Sequence, residues 1–383
     1  MILKKITLLF LSLIWFCCKE KKEESLPFEN TVDKVSIEYA KGFSIEKQAN
    51  GLTTLKISSP WPNAKDRFTY ALVPKEKMAF INLNKNEYDA IVTVPVEKVI
   101  VTSTTHIPAL EALNVLDKLV GFPNTKFISS KAARKKINEG KLIEIGNNES
   151  INTEMVLSLS PEVVIGFGIN AQNKAYETIQ RSNIPVVYNG DWTEQTPLGK
   201  AEWIKFFAPF FEKEKEAEVI FEKIEASYNS VKELAKKTKI KPSVMSGALY
   251  KDVWYLPGGD SWAAQFLKDA NVNYLWGEAA GTGSLSLSWE SVLQKAKEAD
   301  FWIAPAQFIT YDDMKKASQH YQQFDAFTQK KVYTFANTKG ETGGILYYEL
   351  GPQRPDLVLK DLIHILHPEI LPQHTLFFFK PLE

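Results

Sequence analysis

Cysteine is almost missing: the two that occur, Cys17 and Cys18, are adjacent, so they cannot staple distant elements and no cysteine-based zinc site can form. An excess of charge of one sign is missing too. Lys+Arg and Asp+Glu each total 46, which leaves a formal net charge of zero and no global field to hold a polyanion. Nucleic acid is therefore excluded as a main partner. Neither G-x-x-x-x-G-K-[ST] nor G-x-G-x-x-G occurs, so the chain has no loop to cradle a nucleotide's phosphates. The G-x-S-x-G elbow and the H-E-x-x-H helix are absent as well. What is present is apolar material: 44% hydrophobic and 12% aromatic residues over 383 positions, enough for one large core or two smaller ones. Disorder and collagen-like structure are out.

The first segment reads as an address. Lys4 and Lys5 precede the apolar run Ile6 to Phe16, which at about 11 residues suits a signal peptide and falls short of the roughly 20 that span a bilayer. The run ends at Cys17-Cys18, which resembles a bacterial lipoprotein signal whose cysteine becomes the acylated N-terminus. Cys18 is the expected lipidated residue, since cutting before Cys17 would place bulky Phe16 at the site. An ordinary secretory signal is the alternative. Residues 1–18 are thus read as signal peptide and 19–31, with the run Lys19-Glu20-Lys21-Lys22-Glu23-Glu24, as a charged tether. That run is also similar to the surface-export signals of some bacterial lipoproteins, which leaves the membrane face open.

Beyond the tether the patterning predicts an α/β protein of two Rossmann-like lobes. Phe43–Lys47 and Thr53–Ile57 flank Asn50-Gly51, whose residue types tolerate positive φ, and so predict a β-hairpin with Arg67–Leu72 as a third strand. Past Pro95, short β-branched runs alternate with helical segments: Val99–Thr102, Val163–Gly166 and Val186–Tyr188 lead the first series. Val244–Leu249, Phe301–Ala304 and Val332–Phe335 lead the second. Strand–helix alternation implies parallel pairing. Between the series, Leu198–Phe211 reads as one helical pattern and Lys213–Lys237 as a longer one, with Ile220, Ile224, Tyr228, Val231 and Ala235 at spacings of three and four and Pro209 expected to kink or divide the two. The expected division is a first lobe over 32–197, a helical connector over 198–238 and a second lobe over 239–383. Such a rod should resist bending, which predicts a small lobe movement on binding.

Open α/β sheets bind ligands outside the carboxyl ends of their strands, and the loops there join hydroxyls or amides to aromatics. They hold Ser103, Thr104, Thr105 and His106; Asp191 and Trp192; Trp254; Asp260, Ser261 and Trp262; and Gln307. This is chemistry for holding a bulky polar ligand by stacking and hydrogen bonds. Gly-Gly-Asp-Ser before a helix is equally an ordinary turn and N-cap, and a buried Trp is commonly core. His364 and His367 share a helix face but have no acidic or Cys partner nearby, so a solvated C-terminal helix is expected there rather than a metal site.

In order and spacing, several segments resemble the iron-siderophore, haem and cobalamin substrate-binding proteins of ABC transporters. They are Val99–His106 with Leu113–Gly121, Met155–Ile165, Thr196–Trp203, Leu256–Trp262 and Arg354–Leu362 with Leu366–Glu369. The resemblance, which covers roughly Val96 to Glu383, implies two lobes on a helical backbone and no enzymatic activity. It also implies no resident cofactor, and a lipid-anchored, exported monomer in the periplasm or at the cell surface that delivers its ligand to a permease and its ATPase. Tyr347 and Tyr348 join the expected ligand contacts, with Tyr347 or His106 as candidate axial ligand to a haem. Family members commonly dock on the permease through an acid in each lobe. Those positions read Pro108 and Lys268 here, with Glu111 and Asp269 as the nearest substitutes. Two alternatives stay open: a surface-exposed binder serving an outer-membrane receptor, and a hydrolase using Ser103 or Ser261 with His106 as base.

Overall fold

The computed structural model describes residues 32–170 and 172–383; the signal, the tether and both cysteines fall outside them. The hairpin forms where Asn50-Gly51 predicts it. Strands β1 (Val32–Lys34), β2 (Phe43–Gln48), β3 (Thr53–Ile57), β4 (Phe68–Pro74) and β5 (Ala90–Val94) make one sheet in that order, antiparallel except for the parallel β4–β5 pair. Gly51 takes φ +94°, and the Asn50 carboxamide oxygen accepts from the Leu52 amide. In β2 the side chains of Phe43 and Ile45 point inward while Ser44 faces solvent, the period-2 alternation of a sheet buried on one side.

The first lobe is a sheet of five parallel strands in the order β12-β11-β6-β7-β8: β6 (Val99–Val101), β7 (Leu119–Phe122), β8 (Ile143–Glu144), β11 (Val163–Gly166) and β12 (Val186–Tyr188). A small hairpin, β9 (Gly146–Asn147) with β10 (Ser150–Ile151), follows β8. All three residues of β6 and all four of β11 are buried, as expected for parallel strands covered on both faces. Helices α1 (His106–Ala112), α2 (Lys131–Asn138), α3 (Thr153–Leu159) and α4 (Lys174–Arg181) form the crossovers.

The helical pattern over Leu198–Phe211 forms as three pieces: α5 (Pro197–Glu202), α6 (Ile204–Phe207) and a 3-10 turn over Ala208–Phe210 that takes in Pro209. Proline lacks the N–H an α-helix interior needs and so ends the run. The connector α7 (Glu214–Ala235) has 22 residues, about 33 Å at 1.5 Å each. Its buried Ala217, Phe221 and Ile224 join the first lobe's core, while Tyr228, Val231 and Ala235 join the second's. One amphipathic stripe thus serves both halves.

The second lobe has a sheet in the order β16-β13-β18-β19-β20: β13 (Ser243–Ser246), β16 (Asn273–Tyr274), β18 (Phe301–Ile303), β19 (Val332–Thr334) and β20 (Lys380–Pro381), the last antiparallel. Beside it β14 (Ala248–Tyr250), β15 (Val253–Pro257) and β17 (Ser284–Leu287) form an antiparallel sheet. Its helices are α8 (Trp262–Asp269), α9 (Trp289–Ala296), α10 (Tyr311–Ala317), α11 (Asp325–Thr328), α12 (Leu346–Leu350) and α13 (Pro355–Leu366). The expectation of a solvated terminal helix is corrected. Val358, Leu359, Leu362 and Ile363 of α13 are buried, and the His367 ring nitrogen meets the Ala270 carbonyl at 3.0 Å. No helix among the described residues is long and apolar enough to cross a membrane.

Candidate functional site

The order β12-β11-β6-β7-β8 reverses direction between β6 and β11, and such a switch point leaves a crevice beyond the strand ends. Thr102, Ser103 and Thr104 follow β6, and Phe167 follows β11. The Thr102 hydroxyl ties the two ends together by accepting from the Phe167 amide at 3.0 Å and pairing with the Tyr176 hydroxyl at 3.0 Å. Above this crevice lies a cavity of about 520 Å³ whose far wall is Gly343, Gly344, Ile345 and Tyr348 of the second lobe. A second cavity of about 780 Å³ runs over the ends of β13, β18 and β19, lined by Tyr250, Trp262, Phe308 and Tyr347 among others. Gln307 and Tyr348 line both. The two cavities therefore adjoin as one trough, the first part between the lobes and the second walled by the second lobe alone.

Gln307 is delivered by a strained turn: Ala304 and Ala306, on either side of Pro305, take φ of 57° and 48°. Left-handed backbone at a residue with a Cβ costs roughly 1–2 kcal/mol. Ala306→Gly is expected to stabilise the protein by about 1 kcal/mol in urea unfolding, because glycine adopts this region freely. A loss of stability would show that the turn is not strained.

The lobes also touch directly beside the trough. A Cβ on Gly344 would stand 2.2 Å from the Phe127 carbonyl oxygen, and one on Gly340 would stand 2.5 Å from the Ser129 Cα, so both positions need glycine for this approach. The Thr342 hydroxyl donates to the Lys126 carbonyl at 2.7 Å. Glu349 of α12, buried, accepts from the Ser129 and Ser130 amides at 2.6 and 2.8 Å, at the start of α2. Burial raises its carboxyl to about 7, against the pull of those two amides and with added repulsion from Glu111.

Of the residues expected at the site, Ser103, Thr104, Trp262, Gln307, Tyr347 and Tyr348 line the trough. Tyr348 is 47% exposed, while Tyr347 is buried, stacked between Phe335 and Trp262. Others are corrected by their packing. Thr105 turns its hydroxyl to that of Ser103 at 2.9 Å. His106 is fully buried against Phe207, and that burial lowers its pKa, so it is neutral near pH 7 and removed from any ligand or scissile bond. Trp254 is 0% exposed among Trp302, Tyr321 and Phe324, its indole donating to the Ser246 carbonyl at 3.0 Å.

Asp191 is buried beneath the trough, where its carbonyl and that of Trp192 accept from the Lys200 ammonium at 3.1 Å each; Trp192 is part-exposed outside the lining. Asp260 accepts from the Gly281 amide in a surface turn, and the Ser261 hydroxyl caps α8 at the Ala264 amide. Asp269 is 6% exposed and held by the Tyr228 hydroxyl at 2.6 Å, Gln265 at 2.8 Å and Lys232 at 3.0 Å, so it is not free to dock on a partner. Glu111 is half-buried on the Ser130 hydroxyl, beside Glu349 in a groove of about 830 Å³. Sequence reasoning missed Asn124, Phe127 and Asn148, which line the first-lobe wall. The signal for the first two was available, since Pro123-Asn124 follows the carboxyl end of β7.

Residues 99–338 match the family model described as periplasmic binding protein. The chain belongs to that family. Its sequence relatives include the uncharacterized lipoprotein MJ0878 of Methanocaldococcus jannaschii, 30% identical over 298 residues, which are 76% of this chain and 69% of the relative. Among solved structures, a possible iron-binding periplasmic solute-binding protein of Staphylococcus epidermidis superposes with TM-score 0.56 at 18% identity, covering 71% of this chain and 99% of that one. The periplasmic haem-binding protein HutB of Vibrio cholerae gives 0.54 at 18%, over 69% and 99%. Helicobacter pylori CeuE in its nickel–histidine complex gives 0.55 at 19%, over 73% and 86%. At these identities the likeness shows the two-lobed fold. Periplasmic binding proteins hold solutes and are not enzymes, which agrees with the burial of His106 and removes the hydrolase alternative. The sheet β1–β5 precedes the matched region.

Proposed function

We propose that this chain is a lipid-anchored solute-binding protein of an ABC importer, taking an iron chelate, haem or corrinoid into the interlobe trough and passing it to a permease. The observation that carries the reading is the trough itself, placed at the ends of both parallel sheets and walled by side chains from each lobe. The names of the structural neighbours, which cite iron, haem, nickel–histidine and vitamin B12, support this ligand range. The lipoprotein name of the archaeal relative supports a lipid anchor, for which Cys18 is the expected residue. Since α7 contributes to both cores and the lobes are hydrogen-bonded at Glu349, binding should shift the lobes only slightly.

A thermal-shift panel of ferric siderophores, haemin and cobalamin tests the reading. A ligand at about one hundred times its Kd is expected to add about 2.7 kcal/mol of stability. Tyr348→Ala, which removes an exposed ring shared by both parts of the trough, is expected to weaken that ligand by about tenfold. No stabilisation by any member of the panel would overturn the proposal.

A further inference from the structure

We infer that the trough selects a ligand without net negative charge, an uncharged or cationic chelate or corrinoid, and rejects polyanionic ones. The inference deepens the binding reading above and rests on it. Among the described residues no Lys, Arg or His lines either part of the trough, and the one formal charge in the lining is the exposed Glu149 at the rim, which is itself negative. The cations nearby are committed or outside. Lys200 is buried behind Trp262, 5.2 Å from its ring, with its ammonium donating to the Asp191 and Trp192 carbonyls. Lys126 and Lys251 are exposed and sit over the rings of Phe127 and Tyr250, without lining the cavity.

Backbone dipoles supply no net charge. The first amides of α1 are spent on the Ser103 and Thr104 carbonyls, and the Ser261 hydroxyl takes the Ala264 amide of α8, so that terminus offers at most the Trp262 and Ala263 amides. A multiply charged anion drawn into this trough would lose hydration and gain no counter-charge, which is costly. What the walls offer is neutral: hydroxyls of Ser103 and Thr104, amides of Asn124, Asn148 and Gln307, and aromatic faces. The Asn148 carboxamide oxygen is buried with no hydrogen-bond partner among the described residues. It calls for a donor, such as a ligand N–H or O–H, rather than an anionic oxygen.

The test titrates the full-length protein, in detergent, with four probes: cyanocobalamin and a ferric trihydroxamate chelate, both without net negative charge, against a ferric tricatecholate and haemin, both anionic. At least one of the first pair is expected to bind about a hundredfold more tightly than either of the second. An anionic probe binding as well as the best neutral one overturns the inference and leaves the transport reading standing. Binding by none of the four overturns both. In a second variant, Gln307→Lys places a cation where the two parts of the trough meet. The tricatecholate is then expected to gain about tenfold in affinity at low salt, with the neutral ligand weakened or unchanged. Unaltered discrimination in a variant of normal melting temperature would show that lining charge does not set selectivity.

Discussion

Glu202→Ala is expected to destabilise the folded chain by about 3–5 kcal/mol, the range for removing one partner of a buried ionic network. The Glu202 carboxylate is fully buried and accepts from three successive amides, those of Glu38, Tyr39 and Ala40, at 2.9, 2.7 and 2.9 Å. It also pairs with Lys205 at 3.2 Å. Alanine leaves three donors without an acceptor, each costing about 1–3 kcal/mol if it stays dry. Lys205 keeps its pairing to Glu218 at 3.1 Å, so the loss falls mainly on the segment leading into β2. Urea unfolding measures the magnitude, and limited proteolysis should show new cleavage between 36 and 42. A loss below about 1 kcal/mol, the worth of one ordinary hydrogen bond, would mean that Glu202 does not anchor the segment.

The second large effect is one of pH. Glu349 joins the lobes, and its pKa is raised from the usual 4.5 to about 7, with burial the main cause. A raised carboxyl binds its proton more tightly in the closed, folded form. Its contribution is therefore whole below pH 4.5 and is lost as pH rises through about 7. At 1.36 kcal/mol per unit the loss amounts to about 3 kcal/mol. Glu349→Gln removes the titrating proton but sets an NH2 against one of the two Ser129 and Ser130 amides, a cost that does not change with pH. Between pH 5 and pH 8 the variant should therefore gain about 2–3 kcal/mol relative to wild type. A difference that stays constant across this range would show that Glu349 does not titrate between the two forms. Groups remote from Glu349 cancel in the comparison, whereas Glu111, whose charge adds to the raising, is relieved in the variant.

Much of the architecture was legible because its signals are local. The Asn50-Gly51 turn, the buried β-branched runs at Val99, Val163 and Val186, and the stripe on α7 each announce themselves within a dozen residues. The strand β5 was not legible, because Ala90–Val94 pairs with β4 in parallel across a long loop, and no turn signal marks such a pairing. Ile220 packs part-buried against the first lobe's core as its spacing predicts, while Phe221 beside it, which the spacing does not mark, is buried outright. How deeply neighbouring positions of a helix stripe are buried is fixed only by what the helix packs on.

The site divides in the same way. Strand-end position and residue type brought Ser103, Thr104, Trp262 and Gln307 to the trough lining, since any open parallel sheet presents its carboxyl-end loops to a crevice, while Tyr348, on α12, came only from the resemblance. Residue type could not distinguish Trp262 from Trp254, both aromatic and both near a turn. Trp254 lies inside because β15 runs between β14 and β17 and presses its face on Trp302. Asp269 looked like a free acid, and Tyr228, forty-one positions away, decided otherwise. The amino-acid order alone determined the α/β class and the long connector helix, because these depend on short-range periodicity. Only the tertiary structure decided which polar groups face the trough, which are consumed inside, and that among the described residues no cation lines it, because burial and charge balance are properties of groups brought together from distant parts of the chain.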